Sequence, residues 1–194
     1  MNSPAQDLQV MRYFTQPSGE IGRTKLVVLV CGLPGTGKTT LAVALCQKYG
    51  LVHLESDFLR RKLFGRPTHL PEESIRLYNA LYDRAEELLE EGYGLLLDST
   101  NLIESHREIC YRMTHEHGCK QIIIMLECSP NQVRTRLKKR VMAQGNDANA
   151  DWSVYLKLAR QIDAIKPRHF VLNTSKGGAL DKAIEIIDRE IADD

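Results

Sequence analysis

The densest group of residues that could do chemistry lies between Gly32 and Thr40, where the sequence reads G-L-P-G-T-G-K-T-T after the apolar run 26–31. A strand that enters a glycine-rich turn and then a helix aims successive backbone N–H groups into one concave surface, which binds phosphate oxygens. The Lys38 ammonium would add positive charge, and the Thr39 hydroxyl could ligate Mg²⁺. The pattern predicts a site for the phosphates of ATP. Its expected ligands are Gly35, Thr36, Gly37, Lys38, Thr39 and Thr40.

A second group follows the next predicted strand, 52–54. Asp57 starts a short helical segment, and Arg60 lies one turn later on the same face. Transfer of a phosphoryl group to a hydroxyl needs a group that takes the proton of the acceptor, and a carboxylate can do so. The spacing therefore makes Asp57 a candidate general base and Arg60 a candidate clamp for an anionic substrate. A helix cap with a surface ion pair would use the same residue types.

A third group lies after the apolar run 94–97, which ends at Asp98. In open α/β sheets, ligands bind at the carboxyl ends of the strands. An Asp at that edge orders Mg²⁺ and its waters. Asp98 is thus predicted to contact the metal together with Thr39, and to face the substrate.

Two arginines share one face of a helix predicted to begin near residue 130. Arg140 stands four positions after Arg136, so both could meet phosphate while Val133 and Leu137 pack inward. This arrangement favours a helical lid, at about 136–151, that closes over ATP and carries Arg140 as a catalytic residue. A basic run would also suit a solvated helix face.

Strands and helices alternate from residue 25 onward, which predicts a parallel sheet covered by helices on both faces. We expect one α/β domain over 25–194, preceded by an N-terminal arm over 1–24. The predicted strands are 26–31, 52–54, 94–98, 121–127 and 169–172. The predicted helices include 5–14 in the arm, a long one from 71, and others at 102–117, 151–165 and 180–191.

Composition restricts the class of protein. With 26 Lys and Arg against 25 Asp and Glu, the net charge of +1 creates no global field for nucleic acid. The five cysteines form no C-x-x-C pair, as expected for reduced thiols. The chain has no apolar run long enough to span a membrane and no signal-peptide pattern. We therefore expect a cytoplasmic protein without a membrane partner.

Four motifs also resemble a known family: Gly32 to Thr40, Ser56-Asp57-x-x-Arg60, Asp98-x-Thr100-Asn101-Leu102 and Arg136-x-x-x-Arg140. In this order they resemble the P-loop kinases that include polynucleotide 5′-hydroxyl kinases and zeta-toxin-type kinases. The resemblance implies a P-loop kinase fold with an AAA-type ATP-binding domain. It implies roles for Asp57 as general base, Arg60 as a contact to substrate phosphate, Asp98 and Asn101 as site residues, and Arg140 as the lid arginine.

The expected activity is transfer of the γ-phosphoryl group of ATP to a hydroxyl, with Mg²⁺. The leading acceptor is the 5′-hydroxyl of a polynucleotide, and the alternative is a small polar metabolite such as a sugar acid or a nucleoside. A non-catalytic ATP-binding module is the alternative from another class. Asp57 with Arg60 argues against it, because binding alone needs no base.

Overall fold

The computed structural model describes residues 3–17, 25–144 and 148–192, and within them it confirms the predicted α/β fold. Five parallel strands form one sheet in the order β2-β3-β1-β4-β5. Their bounds are β1 (Leu26–Gly32), β2 (Val52–Glu55), β3 (Leu95–Asp98), β4 (Lys120–Glu127) and β5 (Phe170–Asn173). The central strand β1 is buried along its whole length, as its unbroken apolar sequence requires.

The register brings the carboxyl ends of the strands to one edge. Asp98 at the end of β3 is level with Glu55 on β2 and with Val30 on β1. The glycine-rich turn leaves β1 at this same edge. The three groups of residues singled out from the sequence therefore start from neighbouring strand ends.

Eight helices surround the sheet within the described residues. They are α1 (Pro4–Phe14), α2 (Lys38–Tyr49), α3 (Ser56–Phe64), α4 (Pro71–Glu90), α5 (Glu104–Glu116), α6 (Pro130–Gln144), α7 (Ala148–Leu158) and α8 (Ala179–Ala192). None of the helices described is both long and apolar enough to cross a membrane.

One predicted helix was too long. The sequence pattern suggested a helix over 151–165, but α7 ends at Leu158. The segment after it is held by Arg107 of α5, which donates to the carbonyl oxygens of Asp163 and Ala164 at 2.9 and 2.8 Å. Asp163 N–H also donates to Leu102 O at 2.9 Å. In a helix through residue 165 the Asp163 N–H would donate to the carbonyl oxygen of Ala159, so its hydrogen bond to Leu102 O competes with a continued helix.

Two apolar layers cover the faces of the sheet. One packs α2 and α8 against the sheet and includes Leu45, Leu96 and Ile187. The other packs α4 and α5 against the opposite face and includes Leu88 and Met113. Because fully buried side chains cover both faces of the sheet, polar groups collect at the ends of the strands.

The N-terminal helix belongs to the second layer. Met11 is fully buried in it, and α1 lies along α3 and α4. The Asp7 carboxylate pairs with Arg76 of α4, and the Phe14 ring meets the Phe58 ring of α3 edge-on with centroids 5.8 Å apart. The part of the arm that the structure describes is thus packed into the core of the domain.

Candidate active site

The turn between β1 and α2 has the backbone that the motif predicts. Gly37 is the N-cap of α2 with a φ of 96°, a left-handed conformation that favours glycine. A Cβ on Gly32 would lie 2.7 Å from the carbonyl oxygen of Leu126, so β4 approaches the turn too closely for any side chain there. The buried Thr36 hydroxyl donates to Leu33 O at 2.8 Å and holds the turn closed.

Lys38 lies over this turn, where Nζ donates to Leu33 O at 3.2 Å. Burial lowers the pKa of the ammonium, and the positive charge of Arg140 acts in the same direction. The carboxylates of Asp98 and Asp57 oppose this shift in pKa. The structure therefore brings the charges of these four residues close enough to influence one another. Thr39 and Thr40 are exposed on the first turn of α2 beside them.

Asp57 lies in the first turn of α3 and is exposed. A carboxylate near a helix N-terminus is favoured by the helix dipole. Asp57 is close enough to Lys38 for its negative charge to oppose the lowering of the pKa of that ammonium. An exposed carboxylate in that position can accept a proton from a molecule bound next to the phosphates.

Asp98 is buried, with its Oδ2 3.2 Å from Nε2 of His53. Glu55 completes a cluster in which one ligand atom from each of the three residues lies within 4.8 Å of the others. Burial raises the pKa of the Glu55 carboxyl, and the nearby charge of Asp98 raises it further, while His53 and Arg61 oppose the shift.

This donor set fits a divalent cation. The charge of Asp98 raises the pKa of the Glu55 carboxyl, and a positive ion beside the two carboxylates would offset their repulsion. Carboxylate and hydroxyl oxygens are the ligands that Mg²⁺ prefers. Asp98, with Thr39 at the start of α2, could hold Mg²⁺ on this side of the turn.

Arg136 connects the phosphate-binding turn to the loop after β5. Its guanidinium donates to the carbonyl oxygens of Gly35 and Thr36 at 3.4 and 3.3 Å, and to the hydroxyl of Thr174 at 3.0 Å. The Thr174 hydroxyl donates in turn to Thr36 O at 2.7 Å. Arg136 therefore fixes the turn through its backbone carbonyl oxygens. A contact between Arg136 and the nucleotide stays a prediction.

The structure describes part of the segment that was predicted to form a helical lid, and its role as a lid stays a prediction. α6 packs on the turn, since a Cβ on Gly35 would lie 3.0 Å from Val133 Cγ1. Tyr155 of α7 packs with Val133 and Leu137, and the Trp152 ring stacks on the Tyr155 ring with centroids 4.7 Å apart. Residues 145–147 and the side chains of 141–151 lie outside what the structure describes. The exposed Arg140 is the last described side chain before them.

Arg60 differs from the expectation of an open phosphate clamp. Its guanidinium is buried and donates to Glu73 Oε1 at 2.8 Å and to Ser74 Oγ at 3.3 Å, both on α4. The side chains of Arg60 and Glu73 are each 8% exposed. The structure thus pairs Arg60 internally, and a direct substrate contact would require this ion pair to open.

Asn101 is also engaged internally. Its amide donates to Val30 O at 2.8 Å, and its φ of 46° places it in the left-handed region. Both features fix the loop that follows β3, and the hydrogen bond to Val30 ties this loop to β1. A substrate contact by Asn101 stays a prediction.

Several residues of this edge escaped the sequence reasoning. His53 and Glu55 alternate along β2, so they share a face, but only the β2–β3 register shows that this face includes Asp98. Glu73 lies 13 residues from Arg60 with no motif linking them. Tyr78 and Ser99, whose hydroxyl oxygens are 2.7 Å apart, likewise meet only in the tertiary structure.

Comparisons with known proteins agree with this geometry. The chain is 26% identical to a cytidylate kinase of Methanococcus aeolicus over an alignment of 182 residues. The alignment covers 86% of this chain and 98% of that protein. The fold is similar to the APS kinase CysC of Mycobacterium tuberculosis, solved with AMPPNP and APS (TM-score 0.63, 19% identity, 86% of this chain and 97% of that one). It is also similar to Kti12 of Chaetomium thermophilum in complex with ADP-AlF3 (TM-score 0.65, 18% identity, 85% and 98%).

A family model matches residues 27–165, which span the phosphate-binding turn, the carboxylates at the strand ends and the helices α6 and α7. This match covers most of the chain, and the two neighbouring structures were solved with bound nucleotides or nucleotide analogues. The chain therefore belongs to the AAA_33 family of AAA domains and has the fold of a P-loop kinase.

Proposed function

We propose that this protein transfers the γ-phosphoryl group of ATP to a hydroxyl of a small polar acceptor of the nucleoside or sugar class. The observation that carries the proposal is the position of Asp57. This exposed carboxylate lies on the first turn of α3, and its charge acts on Lys38 of the phosphate-binding turn.

A carboxylate in this position distinguishes between kinds of acceptor. A hydroxyl must lose its proton as it attacks phosphorus, so a nearby base accelerates the reaction. The oxygen of a phosphate acceptor carries no proton to remove at neutral pH, and the negative charge of Asp57 would repel it. Asp57 therefore supports a hydroxyl as the group that is phosphorylated.

The donor side follows from the turn and its neighbours. The backbone N–H groups at the start of α2 would bind the β-phosphate, with Lys38 beside the γ-phosphate. Thr39 and Asp98 would hold Mg²⁺ when it binds with ATP, and the ion would supply positive charge that offsets the charge of the phosphates. His53 bonds to Asp98 and would keep its carboxylate oriented toward that position.

Arg140 would act on the transferred group. Its charge lowers the pKa of Lys38, which indicates that the two cations approach the same region of space. Positive charge fixed around the moving γ-phosphoryl group stabilises the transition state more than the ground state. We assign this role to Arg140, which is exposed and whose charge acts on Lys38. Arg136 instead fixes the backbone of the phosphate-binding turn.

A small acceptor is better supported than a polynucleotide 5′-hydroxyl. Two cations of α3 are already engaged, Arg60 with Glu73 and Lys62 over the rings of Phe14 and Phe58 at 4.7 and 5.2 Å. A polynucleotide needs several available cations along its backbone. The balanced net charge of +1 adds no long-range attraction.

The second candidate is transfer to a nucleoside monophosphate, favoured by the similarity to a cytidylate kinase over nearly the whole chain. In that reaction the acceptor is a phosphate, and a cation such as Arg60 would have to bind it. The two candidates therefore differ at Asp57 and Arg60.

The test is an acceptor panel with ATP and Mg²⁺. The panel contains cytidine, adenosine, adenosine 5′-phosphosulfate, several sugars, a 5′-hydroxyl oligonucleotide, CMP and AMP, and the products are identified by mass spectrometry. We expect phosphorylation of a hydroxyl on one of the small acceptors. Lys38→Ala protein serves as the control for contaminating kinases.

Two results would overturn the proposal. Turnover confined to CMP or AMP would identify a nucleoside monophosphate kinase. Turnover confined to the oligonucleotide would restore the polynucleotide acceptor.

A further inference from the structure

The Glu73 carboxylate, on the first turn of α4, accepts hydrogen bonds from three residues that lie outside this helix. Its Oε1 accepts from Arg60 Nη1 at 2.8 Å and from His69 N–H at 3.2 Å. Its Oε2 accepts from the N–H and the hydroxyl of Thr68 at 2.7 and 2.9 Å. Burial alone would raise the pKa of the Glu73 carboxyl, but these hydrogen bonds together lower it to about 2.

The ion pair neutralises a cation on the acceptor side of the site. Arg60 lies one turn along α3 from Asp57, so it belongs to the same helix as the proposed base. Its guanidinium reaches Glu73 and Ser74 and is shielded from water by the packing of α3 against α4. A phosphate that approached Arg60 would meet the negative charge of Glu73 next to it.

Ser74, Tyr78 and Tyr82 follow one another at successive turns of α4, and all three are uncharged. Tyr78 lies one turn beyond Ser74. Its hydroxyl oxygen is 2.7 Å from that of Ser99, which directly follows Asp98 at the end of β3. Hydroxyl groups of this kind can donate to and accept from the hydroxyls of a neutral acceptor.

We infer that Glu73 is a specificity-determining residue, which keeps Arg60 neutralised and so selects a neutral hydroxyl acceptor over the same molecule carrying a phosphate. The inference rests on the proposed function, because it concerns the acceptor of that reaction. The physical reason is that a carboxylate already bonded to the guanidinium must be displaced, and left buried without its partner, before a phosphate can take its place.

Binding to the wild-type protein gives the first test. Cytidine and CMP differ only by the phosphate, and saturating MgADP occupies the nucleotide-donor site in both titrations. Isothermal titration calorimetry should show CMP binding no more tightly than cytidine. Binding of CMP that is tighter than binding of cytidine by about tenfold or more would overturn the inference. A phosphate that accepts hydrogen bonds from a charged arginine should increase affinity by at least about tenfold.

Variants give the second test. Glu73→Gln keeps the shape of the side chain and removes its charge, and should tighten CMP by about tenfold or more while changing cytidine less. Glu72→Gln is the matched control, because Glu72 is an exposed carboxylate on the same turn of α4. The double variant Arg60→Gln with Glu73→Gln should lose the gain. A gain for CMP in Glu72→Gln or in the double variant would contradict a role for the Arg60–Glu73 pair.

These outcomes are independent of the acceptor panel. If no hydroxyl is phosphorylated, the proposed function fails whatever the binding ratios are. If a hydroxyl is phosphorylated but CMP binds wild-type protein more tightly than cytidine, only the role of Glu73 fails. The wild-type titrations decide the inference even if Glu73→Gln does not fold.

Discussion

The guanidinium of Arg136 donates to the carbonyl oxygen of Thr174 at 2.7 Å and to its hydroxyl at 3.0 Å. Since the same guanidinium reaches the carbonyl oxygens of the phosphate-binding turn, one side chain joins that turn to the loop after β5. Arg140, four residues further along α6, is exposed instead. The two arginines of one helix face therefore have different surroundings and should respond differently to substitution.

Arg136→Ala should mainly reduce stability and nucleotide affinity. Loss of a charged hydrogen-bond donor to several carbonyls costs about 1.5–3 kcal/mol in the free energy of unfolding. Arg140→Ala should lower kcat by about 10²-fold and leave the Kd for ADP nearly unchanged. Urea unfolding, ADP titration and steady-state kinetics separate these effects. Equal and small losses in both variants would show that the helix face is only solvated.

Lys38→Ala should lower kcat by about 10²-fold or more with the fold retained, because the ammonium stabilises charge on the transferred phosphate. The burial that lowers its pKa means that the charged lysine does not stabilise the fold by its charge. We therefore expect the variant to unfold at a urea concentration no lower than the wild-type protein. Turnover like that of the wild type in a folded Lys38→Ala protein would contradict the nucleotide site.

Met11→Ala tests whether α1 is part of the domain core. Met11 is fully buried, so its truncation should reduce the free energy of unfolding by about 2–5 kcal/mol. Gln9→Ala, at an exposed position of the same helix, is the control and should change it by less than about 0.5 kcal/mol. Urea unfolding followed by circular dichroism gives both values. Equal stability in the two variants would show that the arm is dispensable.

Acid should weaken the fold through Glu73. Its pKa falls from an ordinary 4.5 to about 2 on folding, so the carboxylate stabilises the folded state above pH 4.5. That stabilisation declines as the pH falls from 4.5 toward 2. The stability difference between the wild type and Glu73→Gln should therefore shrink between pH 6 and 3 in urea unfolding. A difference that is constant with pH would contradict the proposed state of this carboxyl.

The sequence predicted what depends on local pattern. Apolar runs and the glycine-rich motif identified all five strands and the turn before Lys38. They did so because buried strands and helix starts depend on residues that are adjacent in the sequence. The Arg60–Glu73 pair and the partnership of His53 with Asp98 were not predictable in this way. They depend on how α3 packs on α4 and on the register of β2 with β3.

The end of α7 illustrates the same limit. Helical periodicity continues past Leu158, and nothing nearby in the sequence stops it. The segment after Leu158 is held by distant groups instead: Asp163 N–H donates to Leu102 O, and Arg107, about fifty residues earlier, donates to the carbonyl oxygens of Asp163 and Ala164. A buried arginine that serves backbone carbonyls has no distinctive sequence pattern.

The rate of phosphoryl transfer by Asp57→Asn tests the central claim most directly. Asn keeps the size of the side chain at the start of α3 but cannot take a proton. With the small hydroxyl acceptor that the panel identifies, kcat should fall by about 10²–10⁴-fold, while the KM for ATP changes little. A decrease in kcat of less than about threefold would show that Asp57 serves only the N-terminal turn of α3 and would contradict its role as the general base.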